Sequence, residues 1–380
     1  MLRIKSKNII VGNTLFDGYV YAENGVITEI TKEEKAADEC YDAGEKYLSP
    51  GFIDTHTHGG CGKDFYNTTP EDVATACNFH LTHGTTTILP TITASPYPDI
   101  EFSVKNLVTA LERKMISSNV PGAHIEGPYL SAKQCGAQCP KFITPPVKEE
   151  YERLISLYGD YVKRWTYAPE NDEGGEFCKY ITSHGVLASA GHTDAKYDDM
   201  KVAMENGCNL ITHFYSCTST VTRERGFRIL GVIESAYLCD ELYVELIADG
   251  KHLPPDLIKM IIKIKGTDKV ILTTDSLSVA GSDITVGNLA GTDFIIEDGV
   301  ARMLDRSAFV GSVATSDVLI RTLTKACGFG ICESVKMLTE NPAKLLGLNK
   351  GKIEVGKDAD LIVFDTDVNV SDVFVMGKKI

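Results

Sequence analysis

The feature that most constrains the fold is an alternation of short apolar, β-rich runs with longer helical patterns through the middle of the chain. Strands that alternate with helices build right-handed βαβ units, and such units assemble a parallel sheet. Because there are eight of these runs, we expect an α/β protein with a closed (β/α)8 TIM barrel rather than an open sheet. The runs cover residues 50–56, 84–90, 120–126, 163–169, 186–191, 208–213, 243–249 and 269–275.

The two ends of the chain have a different pattern. Residues 1–49 and 350–380 contain β-branched and aromatic runs that Gly or Asn residues separate, which is typical of short strands. Since such segments can pair, we expect a small β-sandwich domain formed by both termini, beside a barrel catalytic domain over residues 50–349. The length of 380 residues suits this division, because a barrel takes about 250 residues. Residues 285–304 alternate around glycines and indicate an inserted hairpin region.

Charge and cysteine content narrow the class of partner and the compartment. The formal net charge is −14, which argues against a nucleic-acid partner because phosphate binding needs a basic surface. No run approaches the roughly 18 apolar residues of a membrane helix, so we expect no membrane partner. The N-terminus lacks the apolar stretch of a secretory signal, which predicts a cytoplasmic protein. The 11 cysteines include no CxxC pair and argue against a disulfide framework.

The ends of the runs carry potential metal ligands. His56 and His58 end the first run, and residues two apart on a strand point to the same side. Glu126, His192 and His213 end three other runs, so all five side chains would meet at the carboxyl rim of a barrel, where active sites of this fold lie. Imidazole and carboxylate suit zinc, with iron or manganese as alternatives. Five ligands exceed one tetrahedral shell, so the sequence predicts one or two divalent ions, with Glu126 able to bridge them.

Two further rim residues indicate catalysis of hydrolysis. Asp275 ends the eighth run, and a carboxylate beside a metal site can take a proton from water and deliver it to a leaving amine. His252 follows the seventh run and would either polarise a substrate carbonyl or hold the substrate. Asp54 and His124 share a face with the ligands, and each can be structural or can support them.

Several of these segments resemble the N-acetylglucosamine-6-phosphate deacetylase family of the amidohydrolase superfamily. The resemblance lies in PGFIDTHTHG at 50–59, HIEGPYL at 124–130, AGHTD at 190–194, THFY at 212–215, IADGKH at 247–252, TDS at 274–276, NPAKLLGL at 341–348 and GKIEVGKDADL at 351–361. It implies a metal-dependent homodimer that cleaves the acetamide of an amino-sugar phosphate. It also implies that Glu126, His192 and His213 bind metal, that Asp275 is the catalytic aspartate and that His252 contacts substrate.

The pocket implied by the resemblance departs from the family pattern at two places. The family carries a Gly-small-His segment after the glutamate, whereas this chain has Ala137 and Gln138 at the last two positions. The family's Thr-His-Leu-Tyr-Asn-Ala ends here in Ser216 and Cys217, which removes an asparagine that helps hold the substrate. We expect all four residues to contact the substrate, and the changes can alter specificity.

Two other substrate segments are implied by the same resemblance. The phosphate-binding arginine of the family matches Arg223 in an Arg-Glu-Arg-Gly block. The Leu-Ala-Gly loop of the family corresponds to Phe309, Val310 and Gly311, which we also expect to bind substrate.

Three functional hypotheses follow. The first is deacetylation of N-acetylglucosamine 6-phosphate to glucosamine 6-phosphate and acetate. The second keeps the chemistry with another substrate, such as N-acetylgalactosamine 6-phosphate or a different N-acyl compound, and a substrate panel distinguishes it from the first. The third is a non-catalytic relative that keeps the barrel as a binding protein, which metal analysis of the purified protein tests.

Overall fold

The computed structural model describes residues 1–380, and its centre is a barrel of eight parallel strands. The strands are β1 (Phe52–Thr57), β2 (Thr85–Ile92), β3 (Ala123–Glu126), β4 (Val162–Tyr167), β5 (Leu187–Ala190), β6 (Leu210–Ile211), β7 (Tyr243–Ile247) and β8 (Val270–Thr273). Each strand pairs in parallel with its neighbour in sequence, which confirms the predicted barrel. β6 is shorter than its predicted run at 208–213, because the chain bends immediately after Ile211.

The barrel closes between β1 and β8. Thr57 and Ser276 form a parallel bridge, and the backbone N–H of Asp275 donates to the carbonyl of His56 at 2.9 Å. The buried carboxylate of Asp54 accepts hydrogen bonds from the hydroxyls of Thr273 (2.8 Å) and Thr274 (2.6 Å). Asp54 therefore has a structural role, since it clamps the first strand to the eighth.

Helices surround the barrel, and a cluster of 60 buried residues packs between the strands and the helices. Local sequence sets the helix ends: the hydroxyl of Thr69 accepts from the N–H of Asp72 to cap the first helix, and Pro70 occupies its first turn. The helices are α1 (Pro70–Thr82), α2 (Tyr97–Glu112), α3 (Lys148–Tyr158), α4 (Glu176–Ser183), α5 (Tyr197–Glu205), α6 (Val232–Leu238), α7 (Pro255–Lys265), α8 (Ser316–Arg321), α9 (Ile331–Met337) and α10 (Glu340–Leu346). No helix is both long and apolar enough to span a membrane.

The strands at the two ends of the chain pair with each other, as the sequence predicted, and they form one eight-stranded sheet. They are Leu2–Val11, Thr14–Glu23, Val26–Thr31, Glu39–Asp42, Tyr47–Pro50, Leu361–Phe364, Val370–Val375 and Lys378–Lys379. The termini meet where Tyr47–Pro50 pairs antiparallel with Leu361–Phe364. Leu361 and Val363 pack in the sheet's own core, whereas Ile362 and Phe364 pack in the barrel core. The division into domains 1–49 plus 350–380 and 50–349 stays a prediction, since the two parts share buried contacts.

A four-stranded antiparallel sheet is inserted after β8 and stands at the mouth of the barrel. Its strands are Val286–Leu289, Thr292–Glu297, Val300–Met303 and Phe309–Gly311. The sheet therefore includes the predicted hairpin region at 285–304 and continues to Gly311. Its small core includes Ala137 and Leu277, which lie in loops of the barrel rim, so the inserted sheet is packed against the mouth. A separate exposed hairpin, Thr222–Glu224 and Phe227–Ile229, follows β6.

Candidate metal centre and active site

The five predicted metal ligands meet at the carboxyl rim of the barrel in two groups that share Glu126. One group is His56, His58 and Glu126, and the other is Glu126, His192 and His213. Within each group the potential ligand atoms lie within 4.8 Å of one another, and all five side chains are buried. Such a set of imidazoles and one shared carboxylate has the donor types of a site for one or two divalent ions.

The backbone just beyond the strands aims these side chains across the mouth. His192, His213 and Asp275 each follow the end of a strand by two residues and have positive φ angles of 47°, 29° and 47°. Non-glycine residues rarely adopt this left-handed conformation, which costs of the order of 1–3 kcal/mol unless the surroundings enforce it. Three such residues at one rim indicate that the fold holds these side chains in place for a function.

Glu126 presents its carboxylate to both groups, and its Oε1 also lies 3.4 Å from Nε2 of His56. Oε1 lies 3.2 Å from Nε2 of His192 and 3.1 Å from Nε2 of His213, whereas Oε2 lies 3.2 Å from Nε2 of His58. Burial alone would raise the pKa of the Glu126 carboxyl, but the charge of His56 and the adjacent rings of His192 and His213 hold it well below its usual range. Glu126 is therefore a carboxylate and is placed to bridge the groups.

The second ring nitrogens of two histidines are anchored as those of metal ligands usually are. Nδ1 of His192 donates to the carbonyl of Gln134 at 3.0 Å, and Nδ1 of His213 donates to the carbonyl of Ser216 at 3.0 Å. A proton held on Nδ1 leaves the lone pair on Nε2, the atom that faces Glu126. This tautomer and orientation fit a bound divalent ion.

Asp275 lies on the pocket side of the His56 and His58 group. Its Oδ1 is 3.3 Å from Nε2 of His56 and 3.2 Å from Nε2 of His58. Burial would raise the pKa of the Asp275 carboxyl, but the positive charges of His56 and His58 lower it below the usual value. The residue is 7% exposed, and it lines the pocket as a carboxylate that can accept a proton.

Metal uptake should release protons from the His56 and His58 group. Burial disfavours a charged imidazole, yet Glu126 and Asp275 raise the pKa of His56 to about 10 and that of His58 to about 9 in the metal-free protein. Both rings are then protonated at pH 7.5, and an ion must displace the proton on each ring nitrogen that it binds. We expect zinc addition at pH 7.5 to release about two protons from this group, measured with a pH indicator in weak buffer.

The same shifts predict how pH changes the stability of the metal-free protein. The folded pKa values lie above the ordinary value of 6.5, so the folded state binds more protons and the stabilisation is complete below that pH. It is lost progressively as the pH rises from about 6.5 to the folded values of about 9 and about 10, so the thermal midpoint should fall over that range. In the proton-release experiment, His58→Ala removes this group as a zinc site, so it should abolish the group's release of about two protons. Equal release from both proteins would contradict the assignment.

A buried ion pair beneath the ligands was missed by sequence reasoning. Glu245 on β7 and Arg164 on β4 are both fully buried, and the guanidinium of Arg164 donates to both carboxylate oxygens of Glu245. Nδ1 of His56 lies 3.2 Å from Oε1 of Glu245, and the backbone N–H of His213 donates to the same oxygen at 3.2 Å. Glu245 thereby fixes the ring of His56 with Nε2 toward the ligand group. The sequence holds one sign of this ion pair, which is a charged residue within each of the apolar runs at 163–169 and 243–249.

His124 lies beside the ligands without joining them. Its Nε2 is 2.7 Å from the hydroxyl of Thr166, and its Nδ1 is 3.1 Å from the hydroxyl of Thr91. Its ring packs edge-on against His56 with centroids 4.6 Å apart. Burial lowers the pKa of His124 well below its usual value, so the ring is a neutral packing partner whose nitrogens are both engaged.

A pocket of about 210 Å³ opens above the ligand groups. Of the residues predicted to bind substrate, all except one line it: Ala137, Gln138, Ser216, Cys217, His252, Phe309, Val310 and Gly311. The exception is Arg223, which is exposed on the hairpin strand Thr222–Glu224 and does not line the pocket of its own chain.

His252 is held by two neighbours in the pocket wall. Its Nδ1 donates to Oδ2 of Asp249 at 2.8 Å, which leaves Nε2 available to a ligand. The ring of Phe309 contacts the His252 ring edge-on, with centroids 5.0 Å apart. Because Phe309 belongs to the inserted sheet, that sheet forms one side of the pocket next to His252.

Comparison with known proteins agrees with this geometry. The amidohydrolase family profile matches residues 47–380. The chain is 30% identical to N-acetylglucosamine-6-phosphate deacetylase of Bacillus subtilis over 97% of this chain and 94% of the relative. It is 28% identical to the Homo sapiens protein of the same name over 100% and 95% of the two chains.

Two solved structures extend the likeness to the whole fold. A mutant N-acetyl-D-glucosamine-6-phosphate deacetylase of Mycobacterium smegmatis, in complex with N-acetyl-D-glucosamine-6-phosphate, superposes with a TM-score of 0.91 at 28% identity, covering 100% of this chain and 98% of that chain. The N-acetylglucosamine-6-phosphate deacetylase of Thermotoga maritima superposes with a TM-score of 0.86 at 30% identity, covering 98% of each chain.

Proposed function

Because this chain belongs to the amidohydrolase family and, within it, to the N-acetylglucosamine-6-phosphate deacetylases, we propose that it hydrolyses the acetamide of N-acetylglucosamine 6-phosphate. The products are acetate and glucosamine 6-phosphate, in amino-sugar catabolism. The observation that carries the proposal is the position of Asp275, which lies within 3.3 Å of both imidazoles of one ligand group and lines the pocket.

The ligand groups suit a divalent metal, and we infer zinc, with iron or manganese as alternatives. The complete set of ligands supports two ions, one in each group. A bound ion supplies Lewis-acid polarisation of the amide carbonyl and of water. The anchored Nδ1 atoms of His192 and His213 support this assignment, since they leave Nε2 free to bind.

The residues of the chain account for the remaining steps. Asp275 takes a proton from the attacking water and delivers it to the nitrogen of the departing amine, as the C–N bond breaks. His252, oriented by Asp249, contacts the substrate through Nε2 and helps to position it in the pocket. The apolar side chains of Phe309 and Val310 wall the pocket on the side of the inserted sheet and exclude water from it.

We also propose a homodimer in the cytoplasm. Phe227 on the hairpin that follows β6 is 74% exposed, and Val221, just before the hairpin, is 43% exposed. A second copy would cover this apolar surface. Arg223 lies on this hairpin, so its role toward a substrate phosphate depends on the hairpin meeting a pocket on assembly. The 11 free cysteines suit a reducing compartment.

A substrate panel tests the proposal. We expect zinc-loaded protein to release acetate from N-acetylglucosamine 6-phosphate faster than from N-acetylglucosamine or N-acetylgalactosamine 6-phosphate. Faster turnover of N-acetylgalactosamine 6-phosphate or another N-acyl compound would support the second candidate function, which the unusual pocket residues Gln138, Ser216 and Cys217 favour. A metal-loaded protein that hydrolyses none of them would contradict both and support a non-catalytic role.

Replacing Arg223 with Ala tests the phosphate contact. We expect KM for N-acetylglucosamine 6-phosphate to rise by about 10- to 100-fold, because a charge-assisted hydrogen bond contributes about 1.5–3 kcal/mol. KM for unphosphorylated N-acetylglucosamine should not change. Arg228→Ala on the paired hairpin strand is the control, since Arg228 faces Arg223 in the register and carries the same charge. Equal effects of both substitutions would refute a specific role for Arg223.

A further inference from the structure

Gln138 is buried in the pocket wall, and its hydrogen bonds are directed at the metal ligands. It is 6% exposed, and its Nε2 donates to Oε2 of Glu126 at 2.7 Å. A neutral side chain that binds a metal-ligating carboxylate fixes the orientation of that carboxylate and reduces the electron density that it offers. The contact therefore bears on metal binding rather than only on the substrate.

The surroundings of Gln138 permit only one orientation of its amide. Its Oε1 accepts from the hydroxyl of Thr93 at 2.6 Å and from the backbone N–H of Ala94 at 3.2 Å. A backbone N–H can only donate, and a carboxylate can only accept. A flipped amide would place its NH2 group against the N–H of Ala94 and its oxygen against Glu126, which makes both contacts repulsive. Nε2 must therefore face Glu126.

The bond to Gln138 makes the two oxygens of Glu126 unequal. Oε1 lies within 3.2 Å of His192 and His213 and 3.4 Å from Nε2 of His56, and it receives no amide donor. Oε2, which faces His58 at 3.2 Å, already accepts the short bond from Gln138. The His56 and His58 group therefore faces one oxygen that already accepts an N–H donor, whereas the His192 and His213 group faces only the oxygen that accepts none.

We propose that Gln138 is a positioning residue that orients Glu126 and so favours an ion at Glu126, His192 and His213 over an ion at His56, His58 and Glu126. This inference rests on the metal dependence of the proposed function and deepens it. Gln138 sets the order in which the two groups fill, and it links the loop at 131–142 to Glu126 through a contact that a purely substrate-binding residue would not make.

Zinc affinities of single groups test the proposal without any substrate. Each group is isolated by removing one histidine of the other, with His58→Ala or with His192→Ala, and zinc is titrated against a chromophoric chelator. Gln138→Met keeps most of the side-chain volume and removes the donor. We expect it to weaken zinc binding by about 10- to 100-fold in the His58→Ala background. In the His192→Ala background, it should leave binding unchanged or strengthen it.

Two further variants make the test specific. Thr93→Val removes the hydroxyl that selects the amide orientation, so it should give a smaller loss in the same direction. Lys133→Ala in the same loop pairs only with Asp194, so it should leave both affinities unchanged. Zinc affinities within twofold of the parent after Gln138→Met, in both backgrounds, would overturn the inference. Zinc-loaded wild-type protein that deacetylates no substrate would count against the proposed function alone.

Discussion

Replacing Asp275 with Asn should lower kcat by about 100- to 10,000-fold while the protein still binds zinc. The carboxamide has the same shape as the carboxylate but cannot take a proton from water. Asp275 belongs to neither ligand group, so the ligand sets of both remain complete. The measurements are acetate release under saturating substrate and the zinc content of the dialysed protein.

The control is Asp283→Asn, an exposed carboxylate in the loop that follows Asp275. It carries the same chemical change eight residues further along and should retain wild-type kcat. If Asp275→Asn turned over at the wild-type rate, another group would have to move the proton, and the assignment of Asp275 as the base would be wrong. If it lost zinc together with activity, Asp275 would instead be needed for metal binding.

The barrel and the residues at its rim could be predicted from the sequence because the geometry of the fold follows a simple rule. In a parallel barrel all carboxyl ends of the strands lie at one end, so polar residues at run ends must meet there. His56, Glu126, His213 and Asp275 came together for that reason. The lengths of the strands were less predictable, since β6 has only two residues and the bend after it places His213.

Contacts between distant residues were not predictable in this way. Gln138 was expected to contact substrate because of its place in a motif, and its bond to Glu126 depends on a loop position set by Thr93, 45 residues away. Arg223 can reach a substrate phosphate only if its hairpin meets a pocket when two copies of the chain assemble. No local sequence pattern predicts such a contact between two chains. The pair of Arg164 and Glu245 lies on strands separated by 81 residues, and each charge alone is typical of an exposed position.

Loss of the ion pair between Arg164 and Glu245 should have a large effect on the stability of the protein. Glu245→Gln should reduce the free energy of unfolding of the metal-free protein by about 3–5 kcal/mol, because it leaves the fully buried guanidinium of Arg164 without a counter-charge. Burial would raise the pKa of the Glu245 carboxyl, but Arg164 and His56 lower it far below the usual value, so Glu245 is charged at neutral pH. Urea unfolding followed by circular dichroism measures the change, with metal removed because bound ligand would add stability.

A double substitution separates the lost pair from lost packing. Arg164→Leu together with Glu245→Gln removes both charges, and the neutral Gln oxygen can still accept from Nδ1 of His56. We expect the double variant to be more stable than Glu245→Gln alone, with a coupling energy of about 2 kcal/mol. The comparison also needs Arg164→Leu alone. If the losses of unfolding free energy in Arg164→Leu and Glu245→Gln simply added in the double variant, the ion pair would contribute nothing beyond the separate contacts of its two residues.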